Sequence, residues 1–143
     1  MTNKKIEQIY ENHRRKRTQV LVVMNENHSL LPEQKRILET EYDEYQILPV
    51  PADGWTLEEM NSKVEEISTM ELHEGKYYLD IVFVSPIPYM IRELTRREVY
   101  FVNEYAEQTN RFVRIFHNDK REKKELPNGK IIQVVAKEGW QLV

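Results

Sequence analysis

The chain has 143 residues and a formal net charge of -3, with 21 lysines and arginines against 24 aspartates and glutamates. It holds no cysteine, which excludes thiol catalysis, disulfide frameworks and cysteine-ligated zinc, and fits a reducing, cytoplasmic setting. One domain that folds without a staple is expected, and no apolar run approaches the roughly 18 residues of a membrane span, nor does a basic-then-apolar signal open the chain.

Residues 1–18 form a basic arm in which Lys4, Lys5, Arg14, Arg15, Lys16 and Arg17 face only Glu7 and Glu11. Ile6, Ile9 and Tyr10 recur at helical spacing and predict a short amphipathic helix ending near His13. The cluster of Arg14, Arg15, Lys16 and Arg17 has two readings. One is a phosphate-binding arm that gains affinity by releasing counterions from a nucleic acid. The other is a solvated run ahead of the first strand.

Residues 19–24, Gln-Val-Leu-Val-Val-Met, are a continuous apolar run that reads as the first sheet strand. The polar loop Asn25, Glu26, Asn27, His28, Ser29 ends it. Pro32 suits the first turn of a helix over about 32–42, with Ile37 and Leu38 on its apolar face. A second strand over 45–50 is closed by Pro49, Pro51 and the Asp53-Gly54 turn signal. Thr56-Leu57-Glu58-Glu59 is a capping box that starts a helix running to about Ser68 and burying Leu57, Met60, Val64 and Ile67.

After a linker over 71–76, residues 77–86 read Tyr-Tyr-Leu-Asp-Ile-Val-Phe-Val-Ser-Pro. A run apolar on both faces, β-branched and aromatic, and too short for a globular helix predicts the central strand of a parallel sheet. From 89 to 110, Met90, Ile91, Leu94, Phe101, Tyr105 and Thr109 fall broadly on one helical face, while Val99-Tyr100-Phe101-Val102 also reads as a short strand. Helix is favoured through most of the segment, because a four-residue strand would leave residues 104–111 as an awkward connection before the next strand; a regular strand at 99–102 changes the strand count. Phe112-Val113-Arg114-Ile115-Phe116 is the fourth strand. A hairpin over about 120–126 and 130–136 follows, turning at Pro127-Asn128-Gly129. Its charged 121–125 segment reads as an exposed edge that discourages strand addition. Trp140 covers a sheet edge or joins a subunit contact.

Alternating strands and helices predict an α/β fold for residues 19–143, a small Rossmann-like sheet in the order 2-1-3-4 with helices on both faces. The topological switch falls between the first and third strands, so the loops 25–29 and 85–89 flank the expected ligand crevice. No G-x-G-x-x-G follows the first strand and no G-x-x-x-x-G-K-[ST] occurs. Pro86 and Pro88 remove two backbone donors from the helix entrance, so side chains must bind: Asn25, Asn27, His28, Ser29 and Ser85 offer donors and acceptors for a base, ribose or phosphate. His28 is the sharpest acid–base candidate, the alternative being a solvent-facing loop histidine. His117 emerges at the same sheet edge, where Lys120 and Arg121 can neutralise phosphate. His73 sits in the linker; no spacing makes a persuasive metal site, and G-x-S-x-G is absent.

The start Val20-Leu-Val-Val-Met-Asn-Glu-Asn-His-Ser-Leu-Leu-Pro-Glu-Gln, the central Asp80-Ile-Val-Phe-Val-Ser-Pro and the closing Asp119-Lys-Arg-Glu-Lys-Lys-Glu-Leu-Pro-Asn-Gly-Lys resemble the small CRISPR-associated Rossmann-fold proteins, the CARF domains and stand-alone ring nucleases. The resemblance spans about residues 19–143 as an order of elements. It implies a homodimer that binds a cyclic oligoadenylate and, in some members, cleaves it, with ligand contacts in 25–29 and 85–89, Tyr89 included. Pro86 and Pro88 stand where many such sites have a small residue, and the basic amino-terminal helix lies outside the common core. The implied cleavage needs no metal or cofactor: a ribose 2′-hydroxyl held in line attacks the adjacent phosphate, and His28 or Lys120 stabilises developing charge. A two-fold axis through neighbouring crevices matches a symmetric cyclic ligand. Two other readings stand beside it, a nucleic-acid-binding accessory protein using Arg14, Arg15, Lys16 and Arg17, and a non-catalytic subunit whose sheet edge and Trp140 pack against a partner.

Overall fold

The structure, a computed structural model, describes residues 2–102, 105–108 and 110–143, with side chains throughout except at 99–102 and 105–108. Helix α1 (Asn3–Arg17) leads into β1 (Thr18–Asn25); α2 (Pro32–Glu41), β2 (Gln46–Val50), α3 (Leu57–Thr69), β3 (Tyr78–Phe83) and α4 (Pro88–Arg96) follow. The second half is mostly strand: β4 (Val99–Val102), β5 (Tyr105–Gln108), β6 (Arg111–Asn118), β7 (Arg121–Glu125), β8 (Ile131–Val135) and β9 (Trp140–Leu142).

Five strands form the main sheet in the order β2-β1-β3-β6-β9. The first four are parallel, with Leu21 beside both Gln46 and Ile81, and Ile81 beside Val113. This is the expected 2-1-3-4 order, extended by β9, which pairs antiparallel with the end of β6. Trp140 thus belongs to an edge strand.

Because side chains alternate across a strand, β1 and β3 feed two cores. Leu21, Val23, Leu79, Ile81 and Phe83 point to one face and pack with Val64 and Ile67 of α3 and Met90 and Leu94 of α4. Val20, Val22 and Val82 point to the other, where Leu38 and Tyr42 of the α2 side meet Phe116, Trp140 and Leu142. Helices therefore cover both faces, which is why the central strands are apolar without alternation.

Thr56 and Glu59 make both bonds of the capping box, Thr56 Oγ1 accepting from Glu59 N–H at 3.2 Å and Glu59 Oε2 from Thr56 N–H at 3.4 Å. Leu57, expected in the core, is 57% exposed; side chains of a helix tilt toward its amino terminus, so the first residue's points past the end. α1 does not stop near His13 but continues to Arg17, where the hydroxyl of Thr18 donates to Arg14 C=O at 2.7 Å. No glycine or proline interrupts residues 3–17, and four basic residues in the last turn complement the helix dipole.

The expectation of helix through most of 89–110 is corrected. α4 ends at Arg96, with Arg97 N–H donating to Leu94 C=O at 3.1 Å, and β4 pairs antiparallel with β5, Val99 beside Gln108 and Val102 beside Tyr105. Four consecutive β-branched or aromatic residues at 99–102 favour an extended chain, and the return strand removes the awkward connection that counted against it. Thr109 and the side chains of Phe101 and Tyr105, placed on the expected helical face, lie outside the described residues. Among the described residues no helix is long and apolar enough to cross a membrane.

Candidate functional site

β6 runs three residues past Ile115, the last to pair with β3, because β9 supports its end: Phe116 lies beside Leu142, His117 beside Gln141 and Asn118 beside Trp140. The chain then turns through Asp119 and Lys120 into the β7–β8 hairpin. Between this hairpin and the carboxyl ends of β3 and β6 lies an open cleft of about 500 Å³. Phe83, Val84, Pro86, Ile115 and Phe116 line its sheet side, and Val134, Val135, Ala136 and Trp140 its hairpin side. Its polar groups are His117, Asn118, Arg121 and Gln133.

Asn118 holds the corner together. Its Oδ1 accepts from Lys120 N–H at 2.6 Å, and its Nδ2 donates to Glu138 C=O at 3.3 Å and Ala136 C=O at 3.5 Å. Trp140 is fixed at three points: its N–H donates to Glu33 Oε1 at 2.7 Å, its indole Nε1–H to Ala136 C=O at 3.0 Å, and its ring meets Phe116 edge to face at 6.2 Å. His117 Nε2 lies 2.8 Å from Asp119 Oδ1, and Asp119 Oδ2 accepts from Gln141 at 2.7 Å. That carboxylate, itself held by Gln141, orients the imidazole. Arg121 folds back, Nη1 donating to Asn118 C=O and Lys120 C=O, each at 3.0 Å. The cleft thus combines apolar and aromatic walls with two basic groups, a composition suited to a flat base and an anionic group.

Of the residues singled out from the sequence, the structure brings His117 and Arg121 into this cleft, beside Pro86. Ser85 and Asn25 tie the switch-point loops together, Ser85 Oγ accepting from Asn25 N–H at 2.9 Å. Asn25 Oδ1 accepts from Asn27 N–H at 2.9 Å, and its Nδ2 donates to Ala52 C=O at 3.4 Å. These polar groups close the loops on themselves. His28 and Ser29 are exposed and outside the cleft lining. Tyr89 turns to α3, donating to Asn61 Oδ1, with the Arg92 guanidinium 5.5 Å from its ring centre. Lys120 lays its side chain against Gly139. Trp140, Asn118 and Gln133 were missed as site residues; a polar residue ending a strand and a tryptophan just after a hairpin were the available signals.

A second polar centre lies at the other end of the sheet. Asp80, fully buried in β3, accepts from Tyr42 Oη at 2.7 Å and from Arg14 Nη2 at 3.3 Å. Arg14 also sits 5.1 Å from the Tyr78 ring centre and 5.3 Å from that of Phe112. Arg114 donates to Tyr42 Oη and Leu142 C=O, each at 3.0 Å. Burial, then the charge and hydrogen bond of Asp80, push the Tyr42 phenol well above its ordinary range, against an opposing pull from Arg114. Burial works to lower the Arg114 pKa but is outweighed by the hydrogen bond to Tyr42 and the charges of Tyr42, Glu41 and Asp80, so it is raised. Arg15 pairs with Asp43 at 2.7 Å and donates to the carbonyls of Glu39 and Tyr42. Arg14 and Arg15 therefore fasten α1 to the body, whereas Lys16 and Arg17 are exposed.

Among the described residues no three His, Cys, Asp or Glu side chains stand together as a metal site. Comparison of the chain with protein-family models, curated proteins and solved structures finds no match.

Proposed function

We propose that this protein binds an adenylate-type nucleotide in the cleft between the sheet edge and the β7–β8 hairpin. Cyclic oligoadenylates are the ligand class implied by the sequence resemblance. The observation that carries the reading is the cleft itself, about 500 Å³ at the carboxyl edge of a parallel sheet, within the roughly 300–1,000 Å³ usual for small-ligand sites. Apolar walls at Phe116, Val134 and Trp140 accept a base, and Arg121 and His117 accept a phosphate. Where the ligand is a cyclic ribonucleotide, a 2′-hydroxyl held in line with its phosphate needs no metal. His117, oriented by Asp119, is the cleft's proton-exchanging group. The basic arm supports a nucleic-acid reading less, since two of its four clustered cations, Arg14 and Arg15, are held by Asp80 and Asp43.

The chain contains two tryptophans, Trp55 and Trp140, so Trp55→Phe leaves one reporter at the cleft. Titrating this variant with cyclic tetra-adenylate and cyclic hexa-adenylate, and with AMP and ATP, is expected to quench Trp140 emission saturably with at least one adenylate. Adding Arg121→Ala is expected to weaken that binding about tenfold or more, as loss of a charge-assisted phosphate contact does. Unchanged emission across all four adenylates, or equal affinity after Arg121→Ala, contradicts the proposal.

A further inference from the structure

The β7–β8 hairpin stands apart from the main sheet, its two strands pairing only with each other among the described residues. A two-stranded ribbon is marginal in water, so its outer edges need cover or protection. The two edges differ. β7 reads Arg-Glu-Lys-Lys-Glu, charged at every position and exposed throughout. β8 reads Ile-Ile-Gln-Val-Val, uncharged, with Ile131 68%, Ile132 40% and Val135 68% exposed. Proteins that stay single guard such a β-branched edge with charge or proline; this one is unguarded.

The turn decides which backbone groups of β8 face outward. Gly129, at φ +81°, donates to Leu126 C=O at 2.9 Å, and Leu126 N–H donates to Lys130 C=O at 2.7 Å. Residues 126 and 130 are therefore a hydrogen-bonded pair. Alternation along the antiparallel ladder makes Lys124 with Ile132, and Glu122 with Val134, the next such pairs. Ile131, Gln133 and Val135 consequently turn their N–H and C=O groups away from β7, and these positions are symmetric about Gln133.

We propose that β8 pairs antiparallel with β8 of a second copy of this chain, about a two-fold axis at Gln133, joining two hairpins into one four-stranded sheet. In that register Ile131 faces Val135, Ile132 faces Val134 and Gln133 faces its own counterpart. Every outward N–H and C=O of the three symmetric positions finds a partner. β-branched residues oppose one another, a favourable cross-strand pairing, and no like charges meet. Apolar cover and closure select this edge over the other arrangements. Pairing β7 with itself covers no apolar side chain and sets Lys123 against Lys123, even though Arg121 then meets Glu125 and Glu122 meets Lys124, and pairing β8 with β7 of another copy is head-to-tail and leaves edges free to grow. The β8 pairing closes and leaves charged β7 edges outside. Gln133, Val134 and Val135 also line the nucleotide cleft, so both clefts of the pair share one sheet. The pairing itself holds whether or not that cleft takes a nucleotide.

Sedimentation of the full chain across the micromolar range tests this. The expected mass is twice 17.3 kDa. Gln133→Pro removes an outward donor and spares the ladder with β7; Val135→Lys adds an edge charge. Each is expected to give a single-chain mass with an unchanged far-UV circular dichroism spectrum, whereas Lys123→Pro on the opposite edge keeps the pair. If Gln133→Pro fails to fold, Val135→Lys decides. A single-chain mass for the unaltered protein, a pair that survives Val135→Lys through another surface such as Ile6, Ile9 and Tyr10 of α1, or growth beyond two copies overturns the inference.

Discussion

The fully buried carboxylate of Asp80 is the costliest group in the molecule to leave alone. It is tolerated because Tyr42 Oη and Arg14 both donate to it, and removing one partner of such a network leaves charge or polar groups uncompensated. Asp80→Ala is expected to lower the unfolding free energy by about 3–5 kcal/mol in urea titrations, and Tyr42→Phe by about 1.5–3 kcal/mol, the range for a hydrogen bond to a charged group. The same site predicts a response to alkali. The folded chain holds the Tyr42 proton more tightly than the unfolded chain does. Its stabilising contribution is therefore present below the unfolded phenol value of about 10 and is lost as pH rises from there toward the folded value. The difference in unfolding free energy between wild type and Tyr42→Phe is expected to be flat to about pH 9, then to fall by up to about 1.4 kcal/mol per pH unit. A difference that stays flat through pH 11 contradicts this assignment.

At the scale of elements, the corner joining β6, the hairpin and β9 positions the cleft, and Gly139 makes it tight. Its φ is +87°, and a Cβ there would stand 2.8 Å from Lys120 Cγ and 3.2 Å from Asn118 Oδ1. Gly139→Ala is expected to cost about 1–2 kcal/mol in chemical denaturation from the backbone conformation, plus the cost of moving Lys120. Adding Lys120→Ala should recover only the second part; full recovery would show the backbone conformation to be unstrained. The legibility of elements followed the same local physics. β1 and β3 were readable because both faces are buried and their residues are β-branched or aromatic without interruption, and α3 because Thr56 and Glu59 announce its start. Residues 99–102 carry both signals, since the helical spacing of Met90, Ile91 and Leu94 continues into Phe101 while Val-Tyr-Phe-Val prefers strand; helix was favoured because a lone four-residue strand leaves an awkward connection, and the return strand β5 that resolves it was not read from the sequence. The end of α1 was misplaced because the basic run that looked like a linker is its last turn, held by the long-range pairs Arg14–Asp80 and Arg15–Asp43.

At the scale of the whole molecule, the rule that open parallel sheets bind ligands at their carboxyl edge points to the end of the strands where the cleft lies, and His117 and Arg121 line it. The cleft, however, sits over β3 and β6, because the hairpin folds back there. A fold-back after Asn118 depends on Asn118, Trp140 and Glu33 meeting across more than a hundred residues of chain, a separation of 107 between Trp140 and Glu33. No local pattern encodes that meeting. For the same reason the side chains of Asn25 and Ser85, polar and well placed in the sequence, turn out to bond with neighbouring loop backbone. The most direct test of the account is a thermal-shift measurement of the full chain against cyclic and linear adenylates, repeated with Arg121→Ala. A ligand bound only by the folded state stabilises it by about 2.7 kcal/mol at a hundredfold excess over its dissociation constant, a rise of several degrees in the midpoint. That rise is expected with at least one adenylate, and a smaller one with Arg121→Ala. A midpoint that no adenylate moves, in a protein that unfolds cooperatively, contradicts the assignment of the cleft.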